Sequence, residues 1–137
     1  MTQNELDKTI QLHQKWLNND PEGVRANMHR ANISWADMRG AKMSYANMSG
    51  AKMNESGISG ANIDYVTITL WCGTLRIRID NRITSQLLYH VLSCVEVSPD
   101  VSDDVKKVLL SPEVVAIANQ FHRCKSGEVP EIGGYKE

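Results

Sequence analysis

The chain has 137 residues, enough for one ordinary domain or two small pieces sharing a core. Fifteen Lys and Arg against sixteen Asp and Glu give a formal net charge of −1, so bulk electrostatics singles out neither nucleic acid nor a membrane surface as a partner. No apolar run approaches the roughly 18 to 20 residues of a membrane span. The amino terminus "MTQNELDKTI" lacks the basic and apolar regions of a signal peptide, and Cys72, Cys94 and Cys124 form no CxxC pair, so the expectation is a cytoplasmic protein with reduced thiols.

Residues 1–20 read as an N-terminal capping helix. Thr2 and Glu5 stand at capping-box spacing, Leu6, Ile10, His13 and Leu17 share one helical face, and Asn18, Asn19, Asp20, Pro21 and Gly23 end the element. An amphipathic helix of about four turns suits a lid over whatever follows, with Trp16 near the junction. A helix presented to a partner is the alternative.

Residues 21–72 follow another rule. Met28, Ile33, Met38, Met43, Met48, Met53, Ile58, Ile63 and Ile68 recur every five positions. Two places before each stands Ala26, Ala31, Ala36, Ala41, Ala46, Ala51, Ser56, Ala61 or Val66. In a helix a five-residue step turns the side chain by about 140°, which would scatter the apolar set around the cylinder. In a strand an odd step alternates faces and would expose half of it. The period is satisfied only if the chain bends once per unit, so that the inward direction turns with it.

The units "RANMH", "RANIS", "WADMR", "GAKMS", "YANMS" and "GANID" resemble those of the pentapeptide-repeat proteins. The resemblance covers about a third of the chain. It implies a β-solenoid, a short right-handed quadrilateral β-helix with four units per coil, the small residue and the apolar centre both pointing inward. On that geometry residues twenty apart stack: Tyr45 beneath Tyr65, Gly40 beneath Gly60, Met28 beneath Met48 and Ile68, Lys42 beside Asn62 and Asn32 beside Lys52. No like charges then meet one coil apart. Two and a quarter coils give a column only about 11 Å tall, whose apolar ends and open strand edges demand caps. Met in place of the family's usual Leu at five centres makes a softer core, and Ser56-Gly57 breaks the small–polar order.

After Leu70 the period fails, since the next centre would be Gly73. Residues 73–125 are expected to form a strand and a three-helix cap. "LRIRID" alternates Leu75, Ile77 and Ile79 with Arg76 and Arg78, as a half-buried strand on the last coil would. Helices are predicted from about Asn81 to Val95, from about Val101 to Leu110, and from Pro112 to about Arg123 with Ser111 as N-cap. The polar, Gly-rich segment 126–137 reads as a mobile tail. The phrases "QLLYHVLSC" and "ANQFHRC" also resemble the ends of short pentapeptide-repeat proteins of phages and prophages.

Few residues offer chemistry. His90 and Cys94 share a helical face, and His122, Cys124 and Cys72 could join them around zinc, but the spacing fits no standard motif. A Cys–His nucleophile pair lacks an orienting third group, and no Gly-rich phosphate loop or paired carboxylates occur. The chain is therefore expected to be no enzyme and to need no cofactor or metal. Gly40, Gly50 and Gly60 suit tight corners.

A protein-binding surface is the better expectation, with Tyr45 and Tyr65 on one face, Trp35 on the neighbouring one, and Arg76, Arg78 and Arg82 as cationic surface. The expected partner is a bacterial protein or protein complex, with a homodimer as a further option and nucleic acid not expected. Together with the phage-like phrases this suggests an inhibitor of a host complex such as a CRISPR or other defence effector. The alternatives are a DNA mimic that binds gyrase or topoisomerase, which the near-neutral column argues against, and a zinc- or thiol-dependent enzyme.

Overall fold

Two N–H groups left open at the start of a helix are closed reciprocally in the first turn of α1 (Gln3–Leu17). Thr2 Oγ1 accepts from the Glu5 N–H at 3.2 Å, and the Glu5 carboxylate accepts from the Thr2 N–H at 2.7 Å. Leu6 and His13 are buried on the face that the spacing marks. The structure, a computed structural model, describes residues 1–70 and 72–136. The chain divides into two units, Met1–Asp80 and Asn81–Glu137.

Beyond α1 the first unit is a coil. Parallel bridges join Asn27 to Asn47, Asn32 to Lys52, Asp37 to Gly57 and Lys42 to Asn62. The short strands β1 (Asn47–Met48) and β2 (Thr67–Ile68) pair in parallel in the same twenty-residue register. The backbone makes this ladder regularly: Met28, Ile33, Met38 and Met43 donate to the carbonyls of Asn47, Lys52, Gly57 and Asn62 at 2.7–2.9 Å. Within each unit the chain turns on an i to i+3 bond such as Ala31 N–H to Met28 C=O, 3.0 Å. The residue before each closing donor is left-handed, where a type II turn needs it. Arg30, Trp35, Gly40, Tyr45, Gly50, Glu55, Gly60 and Tyr65 all have positive φ. Eight of the nine repeat centres are buried, and Ile68, in the last coil, is partly so.

The lower edge of the coil is closed by α1 of the same chain. The Gln3 side-chain amide donates to Asp37 C=O at 2.9 Å and accepts from Asp37 N–H at 3.0 Å, replacing a strand neighbour. His13 Nδ1 accepts from Ala26 N–H at 3.1 Å, so Nε2 carries the proton and donates to Ser44 C=O, 2.9 Å away. The terminal ammonium of Met1 donates to Asn32 C=O at 3.2 Å.

The expected half-buried strand over Leu75, Ile77 and Ile79 does not form. Leu75 and Ile79 are exposed and Ile77 only partly buried. Instead the coil continues to Asp80 one residue out of phase. Met53, Glu55 and Ile58 donate to Gly73, Leu75 and Arg78, twenty residues on, where lower rungs reach nineteen. Arg78 bridges Gly57, and the left-handed corner falls at Arg76 (φ 60°). One extra residue has entered between Ile68 and Gly73, next to a 3₁₀ turn at Cys72–Thr74. Backbone ladder bonds do not require the Ala–polar–apolar side chains, so the coil outlasts its sequence signature. The boundary expected between 72 and 73 accordingly lies after Asp80.

The second unit packs α2 (Asn81–Val97) against α3 (Asp103–Leu109) and α4 (Pro112–Ala118). Its core holds Tyr89, Leu92, Val95, Leu110, Val115, Ala118, Phe121, Cys124 and Ile132. The third expected helix is broken: α4 stops at Ala118, and α5 (His122–Lys125) starts anew. The chain leaves helical geometry at Phe121 (φ −52°, ψ 127°), and just before it the Asn119 side chain accepts from Ile132 N–H at 3.0 Å and donates to Ile132 C=O at 3.2 Å. The segment expected to be a mobile tail is thereby held. Pro130 C=O accepts from Tyr89 Oη at 2.6 Å, Gly133 N–H donates to Glu96 Oε1 at 2.9 Å, Tyr135 N–H donates to Leu110 C=O at 3.1 Å, and Ile132 is buried.

Candidate functional site

A left-handed corner pushes its side chain away from the coil axis, and a twenty-residue register puts the next such side chain directly above. Tyr45 and Tyr65 meet both conditions. Their rings stack with centroids 4.8 Å apart and 9° between planes, at 46 % and 58 % exposure. Neither ring can bury itself in the coil, and each restricts the other, so the corner presents a stiff aromatic edge. Below it the same column continues with Arg25, whose Nε donates to Tyr45 C=O at 2.7 Å and whose guanidinium lies 6.0 Å from the Trp16 ring centroid. Trp16 in turn stacks on His13 at 5.4 Å. An open groove of about 370 Å³ lies between Tyr45 and the end of α1, lined by Trp16, Leu17, Asn19 and Asp20. Sequence reasoning left Trp16 and Arg25 out of this surface, although Arg25 stands twenty residues before Tyr45.

Trp35 is 73 % exposed at a corner of its own, φ 66°. Ten residues are half a turn of the coil, so this corner lies opposite Tyr45 and not on the neighbouring side. Above Trp35 the column carries Glu55 and, because of the extra residue, Arg76 instead of residue 75, joined by an ion pair at 2.5 Å. Beside it the Asp37 carboxylate takes two bonds from Arg39, at 2.9 and 2.7 Å, which hold its pKa far below the usual carboxylate range. The irregular Gly57 belongs to this side. A Cβ there would meet Arg39 Cγ at 3.4 Å and Arg78 Nη2 at 3.6 Å, ordinary contact distances, so the position lies beside both arginines without requiring glycine. Arg82 belongs to the second unit, where it lines a groove with Asn81, Thr84, Ser85, Ile117 and Gln120. The five candidate residues of the first unit thus form no single patch: two tyrosines share one corner, and Trp35, Arg76 and Arg78 gather around another, while Arg82 belongs to the second unit.

The histidines and cysteines of the second unit are differently disposed. His90 and His122 both pack against Phe121, at 5.4 and 4.9 Å between centroids. Cys94 is exposed, whereas Cys124 is buried and its thiol pKa is raised by that burial. Among the described residues no three His, Cys, Asp or Glu side chains gather as metal ligands would. No described helix is long and apolar enough to cross a membrane.

Comparison with known proteins gives no match to a curated protein and none to a solved structure. It does give a family for the coil: residues 24–44 and 31–64 match the model described as pentapeptide repeats, 8 copies. Residues 24–64 are therefore a pentapeptide-repeat segment, a β-helix region that α1 precedes and the C-terminal helices follow.

Proposed function

We propose that this chain is a non-catalytic protein-binding module, built on a right-handed four-sided coil, whose principal contact is the Tyr45–Tyr65 corner. The observation that carries the reading is the exposed parallel stack itself. Two large amphipathic rings, ordered before any partner arrives, lose little side-chain entropy on binding and offer hydroxyl groups along with apolar area. The adjoining groove between Trp16 and Tyr45 adds a recess of the kind that an anchoring side chain fills.

The partner is a bacterial protein or complex, and the likeness of "QLLYHVLSC" and "ANQFHRC" to phage-encoded chains favours inhibition of a host complex such as a defence effector. DNA mimicry draws no support from the charge pattern, because Asp37 and Glu55 on the coil are each paired with an arginine. The test is capture from bacterial lysate by wild type and by the Tyr45→Ala/Tyr65→Ala double variant. A partner held stoichiometrically by the first and lost by the second, with unchanged thermal unfolding, supports the reading. A partner held equally by both removes this corner from the function.

A further inference from the structure

We propose that the groove beside Trp35 receives an arginine side chain from a partner protein, its guanidinium stacked on the indole and paired with the Asp7 carboxylate. This assigns a second contact to the binding module and rests on that reading for its natural partner.

The groove is open, about 550 Å³, and is lined by Gln3, Asp7, Trp35, Asp37 and Arg39. Its walls are fixed. Gln3 is held by both backbone groups of Asp37, and its amide also donates to Asp7 Oδ1 at 2.7 Å, which anchors that carboxylate against the coil. Asp7 Oδ2 has no partner among the described residues and is open to an incoming donor. Asp37 and Arg39 face the groove as a closed bidentate pair, so neither charge is available and their fields largely cancel. Of the other cations nearby, the Met1 ammonium is engaged with Asn32 C=O and Arg76 is paired with Glu55, while Arg78, whose charge reaches Asp37, does not line the groove. Among the lining residues Asp7 is thus the open charge, and it is negative.

Trp35 supplies the other half. Among the described residues it is, at 73 % exposure, the most exposed aromatic side chain, and no ring or cation of those residues stacks on it. An indole face attracts a cation more strongly than any other side-chain ring. A carboxylate with one oxygen free beside an indole favours the planar guanidinium: it stacks through its face while its N–H groups donate in plane, which a lysine ammonium does not do. A neutral urea of the same shape would keep the stacking and lose the charge.

The test uses the full-length protein labelled with ¹⁵N, following the indole N–H signal of Trp35, identified by its loss in Trp35→Phe. The probes are acetyl-Gly-Arg-Gly-amide and its lysine and citrulline counterparts. The arginine peptide is expected to shift the signal saturably with millimolar affinity, the citrulline peptide to bind at least about fivefold more weakly, and the lysine peptide to fall between them. Asp7→Asn keeps an acceptor for Gln3 and removes only the charge, so it should weaken the arginine peptide about fivefold while leaving the fold unchanged. Equal response to citrulline, equal response to lysine, or an unchanged affinity in Asp7→Asn would each overturn the assignment. The titration needs no natural partner. If the tyrosine double variant captures as wild type does while Trp35 still responds to arginine, the corner reading alone has failed; a silent Trp35 with a tyrosine-dependent partner fails this one alone.

Discussion

The imidazole of His13 stands in for a missing coil: its Nδ1 accepts the N–H of Ala26 at 3.1 Å while its Nε2 donates to the carbonyl of Ser44. A proton added at Nδ1 would face an N–H donor, so this arrangement requires the neutral ring.

The consequence is a pH dependence with a defined sign. Burial, the largest influence, and the charge of Arg25 lower the folded-state pKa of His13 below the unfolded value of about 6.5. Below that pH the unfolded chain binds the proton first, so stability is full above about pH 6.5 and declines as pH falls through the folded pKa. Urea unfolding of wild type and His13→Gln should show a gap of about 1–3 kcal/mol at pH 7.5 that narrows by pH 5. A gap independent of pH would mean that His13 does not titrate on unfolding.

Ser56 occupies a position where most other units place Ala, and its buried Oγ has no hydrogen-bond partner among the described residues. Ser56→Ala removes that unmet group without altering the packing volume much, and should raise stability by about 1 kcal/mol. Thermal unfolding measures it. A loss of stability would show that the hydroxyl is satisfied in solution.

Two glycines should fail for different reasons when replaced by alanine. At Gly40 a Cβ meets nothing within 4 Å, but φ is +69°, so the cost is backbone strain alone, about 1 kcal/mol. At Gly23 a Cβ would sit 2.1 Å from the backbone nitrogen of Trp16, so the chain must move off the end of α1. Gly23→Ala should therefore cost several times more, on the scale of the largest single substitutions, above about 3 kcal/mol. Equal losses in denaturant melts would contradict this account.

Asn119 holds both backbone groups of Ile132, and its replacement should free the carboxy-terminal segment before the helices melt. Asn119→Ala is expected to cost about 1–3 kcal/mol and to bring early protease cleavage within residues 126–136. Protection equal to that of wild type would place the hold on this segment elsewhere, in the Tyr89 and Glu96 contacts.

The coil was legible because its requirement is written once per unit: a small residue and an apolar centre must both face inward, and nine units say so. The predicted stacks, Tyr45 with Tyr65 and Lys42 beside Asn62, follow from that register alone. The capping box of α1 was legible too, since Thr2 and Glu5 need only local geometry. What escaped depends on partners distant in sequence. His13 reads as one more member of a helical face until Ala26 and Ser44 are placed beside it. Asn119 looks like an ordinary helix residue, and "GEVPEIGGYKE" like a loose end, until the two are paired. Residues 73–80 carry no repeat signature because the ladder there is made by main-chain groups, and the alternation in "LRIRID" imitated a strand. The opposition of Trp35 and Tyr45 was available from counting: ten positions are half of twenty.

The extra residue between Ile68 and Gly73 has a bearing on how such a chain can grow. Below it every rung repeats the one beneath, so a duplicated block of twenty residues could be spliced in there and the protein would lengthen by one storey with both ends undisturbed. Above it the phase is changed, and a copied block spanning the slip would carry a second slip with it. The slip therefore works as punctuation, marking where elongation by copying is free and where it is penalised, and it makes the height of the column a quantity that inheritance or design can set in whole steps.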